Sequence, residues 1–285
     1  MTLTIEQLRK LPKVSLHDHL DGGLRPQTVI DHCNETGHSV PTKDADALGK
    51  WFFNAADSGN LVTYLSTFNY TIGAMQTYEH LQRVAYEFVL DQAADGVIYA
   101  EARWAPEQHT QAGLSESQAV EAVRDGIEKG VAEITAAGGD IAVNQILTSM
   151  RHLAPTTRIA ELAVKYRDQG VCGFDIAGAE DGFRPARFKE AFDYLRANNA
   201  WITIHAGEAD GIPSIWEAVQ VCGAHRIGHG VRLIEDIDGD KLGRLSEYIR
   251  NQRIALEVCP TSNLQTGVAK TLAEHPVNRF RELGF

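Results

Sequence analysis

The segment from Lys13 to Gly23 reads KVSLHDHLDGG, which places His17, Asp18, His19 and Asp21 directly behind an apolar, strand-like run. In an extended chain residues i and i+2 point the same way. His17 and His19 therefore leave one face of the strand together. Two imidazoles on one face can bind one metal ion, at Zn–N distances of about 2.0–2.1 Å. The spacing suits two structural histidines equally well, and the pair alone does not separate these readings. Other strand-like runs end in residues of the same kind. ITIHAGE carries His205, RIGHG carries His229, VCGFDIAG carries Asp175 and Gly178, and LEVCPTSN ends near Cys259, Thr261, Ser262 and Asn263. Polar groups and glycines gathered at one end of strand after strand mark the edge where barrel enzymes keep their active sites.

Glu208 follows His205 by three residues, at the entrance to the next helical pattern. A carboxyl in a partly apolar pocket can keep its proton near neutral pH and act as a general acid. A glutamate at a helix start also favours the helix dipole without doing any chemistry. His229 stands between two glycines, which leave its ring room to approach a ligand; a buried histidine bonded to backbone fits the same pattern. His32, His38, His80, His109, His152, His225 and His275 lie in helical patterns or loops and read as surface or packing residues.

These residues need strands to hold them. Apolar runs at 13–19, 96–104, 141–148, 171–178, 201–207, 225–230 and 253–260 read as strands. Amphipathic stretches lie between them, among them LSESQAVEAVRDGIEKGVAEITAAG, with a cap near Ser115, RFKEAFDYLRANN and IPSIWEAVQVCG. Strands alternating with helices imply a parallel sheet. Seven of them point to a (β/α) barrel more than to an open sheet. Residues 24–95 form a long helical insertion rich in aromatics. Ordinary packing explains most of it, and an apolar lid over the barrel mouth is the functional alternative.

The chain has 285 residues, enough for a large core. No run of eighteen apolar residues suggests a membrane span, and the first residues, MTLTIEQLRKLPK, lack the apolar core of a signal peptide. A cytoplasmic location is expected. The net charge of −11, without any Lys/Arg cluster, argues against nucleic acid as a partner and suits a neutral or cationic small ligand. Cys33, Cys172, Cys222 and Cys259 are scattered without CxxC spacing and read as reduced.

Taken together, SLHDHLDGG, GFDIAG, HAGE, RIGHG and EVCPTSNLQTG resemble, in order and spacing, the adenosine deaminase family of the metal-dependent amidohydrolases. The resemblance covers nearly the whole chain. It implies a TIM-type (β/α)8 barrel, one domain over residues 1–285 with the 24–95 insertion after the first strand. It implies hydrolytic deamination of adenosine, and of 2′-deoxyadenosine, to the inosine product and ammonia. One Zn2+ per chain would be held by His17, His19 and His205. Glu208 would protonate the purine ring nitrogen N1, and His229 would orient and help activate the water on the metal. Asp21 would bind the ribose, with Gly178 and His19 also meeting the substrate. Related adenine deaminases usually carry Glu at the Asp21 position, so the aspartate favours the nucleoside.

The family also carries an aspartate ligand and a second aspartate on an eighth barrel strand. This chain stops at VNRFRELGF, after what reads as the seventh helix, and neither aspartate is present. The natural polypeptide is therefore expected to continue beyond Phe285. Two other readings stay open: a deaminase of adenine or another aminopurine nucleoside, and a non-catalytic nucleoside-binding protein of the same fold. Retention of both Glu208 and His229 weighs against the last.

Overall fold

Ser115 opens the helix Glu116–Ala136 with a capping box: its hydroxyl accepts the Gln118 amide while the Gln118 side chain accepts the Ser115 amide. Small and branched residues at helical spacing, from Ala119 through Val123 to Ile127, then bury one face. The computed structural model describes residues 3–285, and helices of this kind separate its strands. The strands are β1 (Lys13–His19), β2 (Val97–Trp104), β3 (Ala142–Met150), β4 (Val171–Ala177), β5 (Thr203–Ala206), β6 (Arg226–His229), β7 (Ile237–Asp238), β8 (Lys241–Leu242) and β9 (Ala255–Glu257). One sheet has the order β1-β2-β3-β4 and another β5-β6-β9. The pairs β1–β2, β2–β3, β5–β6 and β6–β9 are parallel. A parallel bridge from Phe174 to Ile202 links β4 to the approach to β5. The short β7 and β8 form an antiparallel ladder of their own. Parallel strands alternating with helices are the α/β arrangement that the sequence pattern predicts.

The chain divides into two compact units. The first runs to Trp51 and includes Phe68–Leu147 and Tyr166–Cys172; the second comprises Phe52–Thr67, Thr148–Lys165 and Gly173–Phe285. In the first, Leu20, Met75, Leu81, Ala100, Ala102, Trp104 and Ile146 are buried. In the second, Phe174, Phe192, Leu195, Ile204, Ile215, Ile227 and Ile249 are buried, with the Phe174 and Phe192 rings edge-on at 5.6 Å. In β2 the apolar Ala100, Ala102 and Trp104 alternate with Glu101 and Arg103, and in β5 Ile204 and Ala206 alternate with Thr203 and His205; both sets are buried, one apolar and one polar.

The 24–95 segment is helical, as expected: Pro26–Thr36, Ala45–Ala56, Leu61–Leu65, Phe68–Gly73 and Tyr78–Ala94. Within the first unit, Phe68 brings its ring edge-on to His19, centroids 6.3 Å apart. Within the second, the Gly59 amide donates to the Gln265 carbonyl at 2.7 Å. Phe53 and Val62 face solvent. No helix among the described residues is long and apolar enough to cross a membrane.

Candidate active site

In the first unit β1 presents His17 and His19 together, ring centroids 5.5 Å apart and planes at 63°. Asp21 is buried just beyond the strand end. Its carboxylate oxygens lie 3.9 Å from His19 Nδ1 and 3.9 Å from Nε2 of His109. His109 Nδ1 stands 2.9 Å from the Met75 carbonyl, which can only accept, so Nδ1 carries the proton and Nε2 turns to Asp21. Asp21 Oδ1 and His109 Nε2 are buried and make no hydrogen bond among the described residues. A buried carboxylate oxygen in that condition is one that a ligand hydroxyl can satisfy. His109 is no surface residue, contrary to one of the readings the sequence left open; it is wholly buried. It follows β2 by a short turn, so the strand-end rule that found the other residues also reaches it.

In the second unit His205 ends β5 with its ring held by Asp175 of β4. Asp175 Oδ2 lies 2.7 Å from His205 Nδ1, and Oδ1 accepts the His205 amide at 3.1 Å and the Ile176 amide at 2.7 Å. A carboxylate at Nδ1 places the ring proton there and directs the Nε2 lone pair outward, the arrangement that commonly stands behind a metal-binding imidazole. His205 and His229 each offer a nitrogen, the two within 4.8 Å of one another. The buried Arg151 ties the strand ends together, donating to the His205 carbonyl at 2.9 Å and the Phe183 carbonyl at 2.7 Å.

Glu208 sits in the loop after β5, and a second acid builds that loop. Glu180 Oε1 accepts the Gly207 amide and the Ser214 hydroxyl, both at 2.6 Å. Its Oε2 accepts the amides of Glu208 at 2.9 Å, Ala209 at 2.6 Å and Asp210 at 2.9 Å. Gly207 is needed for the turn: its φ is +78°, and a Cβ there would lie 2.5 Å from Ile215 Cδ1. The Glu208 side chain is buried, with Oε1 accepting from the Thr266 hydroxyl at 3.1 Å. Burial pushes its pKa up to about 7, and the charge of Glu180 adds to the rise while Thr266 opposes it. Such a carboxyl keeps a proton to give near neutral pH.

His229 ends β6 in the left-handed region, φ +63°, a conformation that non-glycine residues hold only where the surroundings fix it. Its Nε2 lies 3.4 Å from Glu208 Oε2, and its Nδ1 lies 3.1 Å from Nδ2 of Asn263. Asn263, fully buried, reaches on through Oδ1 to His275 Nε2 at 3.2 Å. His275, like His32 and His80, is buried rather than at the surface. Gly178 follows β4 at φ +104°, its α-carbon face toward Met150 and His152. The second unit thus brings His205, Glu208 and His229 together, with Gly178 placed beyond the end of β4, and the first brings His17, His19 and Asp21 together.

The family model described as adenosine deaminase matches residues 12–285. A protein of Streptomyces coelicolor named adenosine deaminase 1 is 56% identical over 98% of this chain and 72% of its own length. An adenosine deaminase of Mycolicibacterium gilvum is 53% identical over 99% of this chain and 80% of its own. Among solved structures, an amidohydrolase from Burkholderia ambifaria with bound Zn superposes with a TM-score of 0.82 at 24% identity, covering 100% of this chain and 77% of that one. That likeness is one of fold: the parallel α/β architecture is shared with that structure.

Proposed function

The chain belongs to the adenosine deaminase family and its activity is adenosine deamination, and from that premise we propose that His17, His19 and His205 hold one zinc ion, that Glu208 protonates the purine ring nitrogen N1, and that His229 orients the attacking water. Asp21 takes a ribose hydroxyl on this reading, Gly178 and His19 meet the substrate, and 2′-deoxyadenosine is a second substrate. The observation that carries it is the Glu208 carboxyl, buried, backed by Glu180 and held near pKa 7. Mere binding of a nucleoside needs no such acid.

The donor set suits a divalent ion. Three imidazoles match the ligand preference of zinc, and Asp175 leaves His205 with one lone pair turned outward. The chemistry a bound zinc supplies is acidification of water, from a pKa of about 15.7 to about 7. The chain's own groups do the rest. A proton from Glu208 on N1 makes C6 of the purine the better electrophile; water adds there, one of its protons passes to the amino group, which departs as ammonia, and the other returns to Glu208. The loop amides gathered on Glu180 hold Glu208 at a fixed place while this happens.

Metal analysis and an ammonia-release assay on purified protein test the reading. Expected are one zinc per chain, turnover of adenosine well ahead of adenine, and loss of both zinc and turnover in His205→Ala. Full zinc content in His205→Ala would remove that ligand, and faster turnover of adenine would replace the substrate.

A further inference from the structure

The side chain of Asn263 stands between two histidines, and the direction of every hydrogen bond along that line is fixed from one end. The Val277 amide can only donate, and it lies 3.2 Å from His275 Nδ1. His275 Nδ1 must therefore accept, which excludes the imidazolium, because both its ring nitrogens are donors. Burial also holds His275 below its ordinary pKa, in the neutral form. The one ring proton of His275 is then on Nε2, 3.2 Å from Asn263 Oδ1, which accepts it. That turns the amide nitrogen of Asn263 toward His229 Nδ1 at 3.1 Å, and an amide nitrogen can only donate. Asn263 also counts among the hydrogen-bond partners of the Glu208 carboxyl, which agrees with the nitrogen on that side.

We infer that Val277, His275 and Asn263 form a polarity relay that locks His229 as the Nε2-protonated neutral tautomer, so that His229 offers the pocket a proton rather than a lone pair. In that form Nε2 does not bind a metal and does not serve as a base. It donates, to an oxygen of the water or substrate or to Glu208 Oε2 at 3.4 Å. His275 and Asn263 are positioning residues that act through His229. The sequence spacing of 12 residues between them is bridged by the turn after the helix Pro260–Gln265. The inference rests on the proposed place of His229 in the reaction, yet the relay itself is readable without activity.

The test is 15N spectroscopy of histidine-labelled, zinc-loaded protein at fixed pH, with the His229 signals assigned by their absence in His229→Gln. The expected wild-type pattern is protonation at Nε2. Asn263→Asp is nearly isosteric and removes the donor, so His229 should turn to an Nδ1-protonated pattern. His275→Ala should give a mixture, and His275→Gln, whose amide can donate to Asn263 Oδ1, should restore the wild-type pattern. In kinetics Asn263→Asp and His275→Ala should lose about tenfold to a hundredfold in kcat, with KM changed less than about threefold and zinc retained. A wild-type His229 protonated at Nδ1 overturns the inference, as does an Nε2-protonated pattern that persists in both variants. Absence of adenosine turnover in the wild type would instead overturn the proposed function and leave the spectroscopic result standing.

Discussion

Glu180 Oε2 accepts the backbone amide of Glu208 at 2.9 Å, so one acid fixes the position of another while its charge raises the second one's pKa. The same carboxylate takes three further amides and the Ser214 hydroxyl. Five donors exceed the roughly four lone-pair sites of a carboxylate, so every acceptor position it has is taken.

Glu180→Gln keeps the shape but turns one acceptor end into a donor facing amide hydrogens. Leaving buried donors unsatisfied costs about 1–3 kcal/mol each, so a loss of roughly 2–4 kcal/mol in urea unfolding is expected. Removing the charge also lowers the Glu208 pKa. The fall of kcat/KM with rising pH should then begin at lower pH than in the wild type. Unchanged stability would mean the loop is held by other groups.

Glu208→Gln separates activity from stability. Loss of a positioned acid is worth about 10²–10⁴ in rate, with zinc retained. Its folded pKa of about 7 lies above its ordinary value of 4.5, so the folded state binds this proton more tightly than the unfolded chain. Stability from that proton is full below the unfolded value and is lost as pH rises through 7. The whole difference is roughly 3 kcal/mol. A glutamine pays no such penalty, so the variant should be more stable than the wild type at pH 8 by roughly 1–3 kcal/mol, and no more stable at pH 5. A variant that is less stable at pH 8 would show that the carboxyl is not strained by burial.

Asp175→Asn should leave His205 in place but lose the carboxylate that fixes its tautomer. Removing such a partner typically costs about 10–100-fold in metal affinity. Competition with a chelator at fixed pH measures this, and wild-type zinc affinity in the variant would detach Asp175 from the metal site.

Much of this was legible because strand ends write themselves in sequence. The run 13–19 became Lys13–His19 without change. The run 253–260 shortened to Ala255–Glu257 because Arg253 ends the preceding helix in the left-handed region, and Pro260, without an N–H, starts the next helix. The pattern 212–223 reads as one helix, yet after Trp216 it widens, with the Cys222 amide reaching Glu217 across an extra residue. What periodicity does not reveal are the supporting partners. Glu180 meets Gly207 across 27 residues and Asn263 meets His229 across 34. Such pairings depend on how strands and loops are brought together, and a single sequence carries no local signal for them. Asp175 and Asn263 stood out only as polar residues near strand ends, with their roles unread.

Asp21 provides the sharpest separation between binding and folding. Its Oδ1 is buried and makes no hydrogen bond among the described residues, and its closest approach to His109 Nε2 is 3.9 Å. A side chain so placed contributes little to the folded protein, since burial of an unsatisfied carboxylate oxygen is itself a cost. A substrate hydroxyl that donates to it would remove that cost. Hydrogen bonds to charged groups are worth about 1.5–3 kcal/mol, so Asp21→Ala should raise KM for adenosine by about 10- to 150-fold. Thermal stability and zinc content should stay at or above the wild-type level. The loss should also be smaller for a nucleoside analogue that lacks the hydroxyl in question, because wild type and variant then bind it alike. Measuring KM for adenosine and its 2′- and 5′-deoxy analogues in both proteins identifies the hydroxyl. An Asp21→Ala protein that binds adenosine as before but unfolds earlier would make the aspartate a structural residue and leave the ribose to other groups.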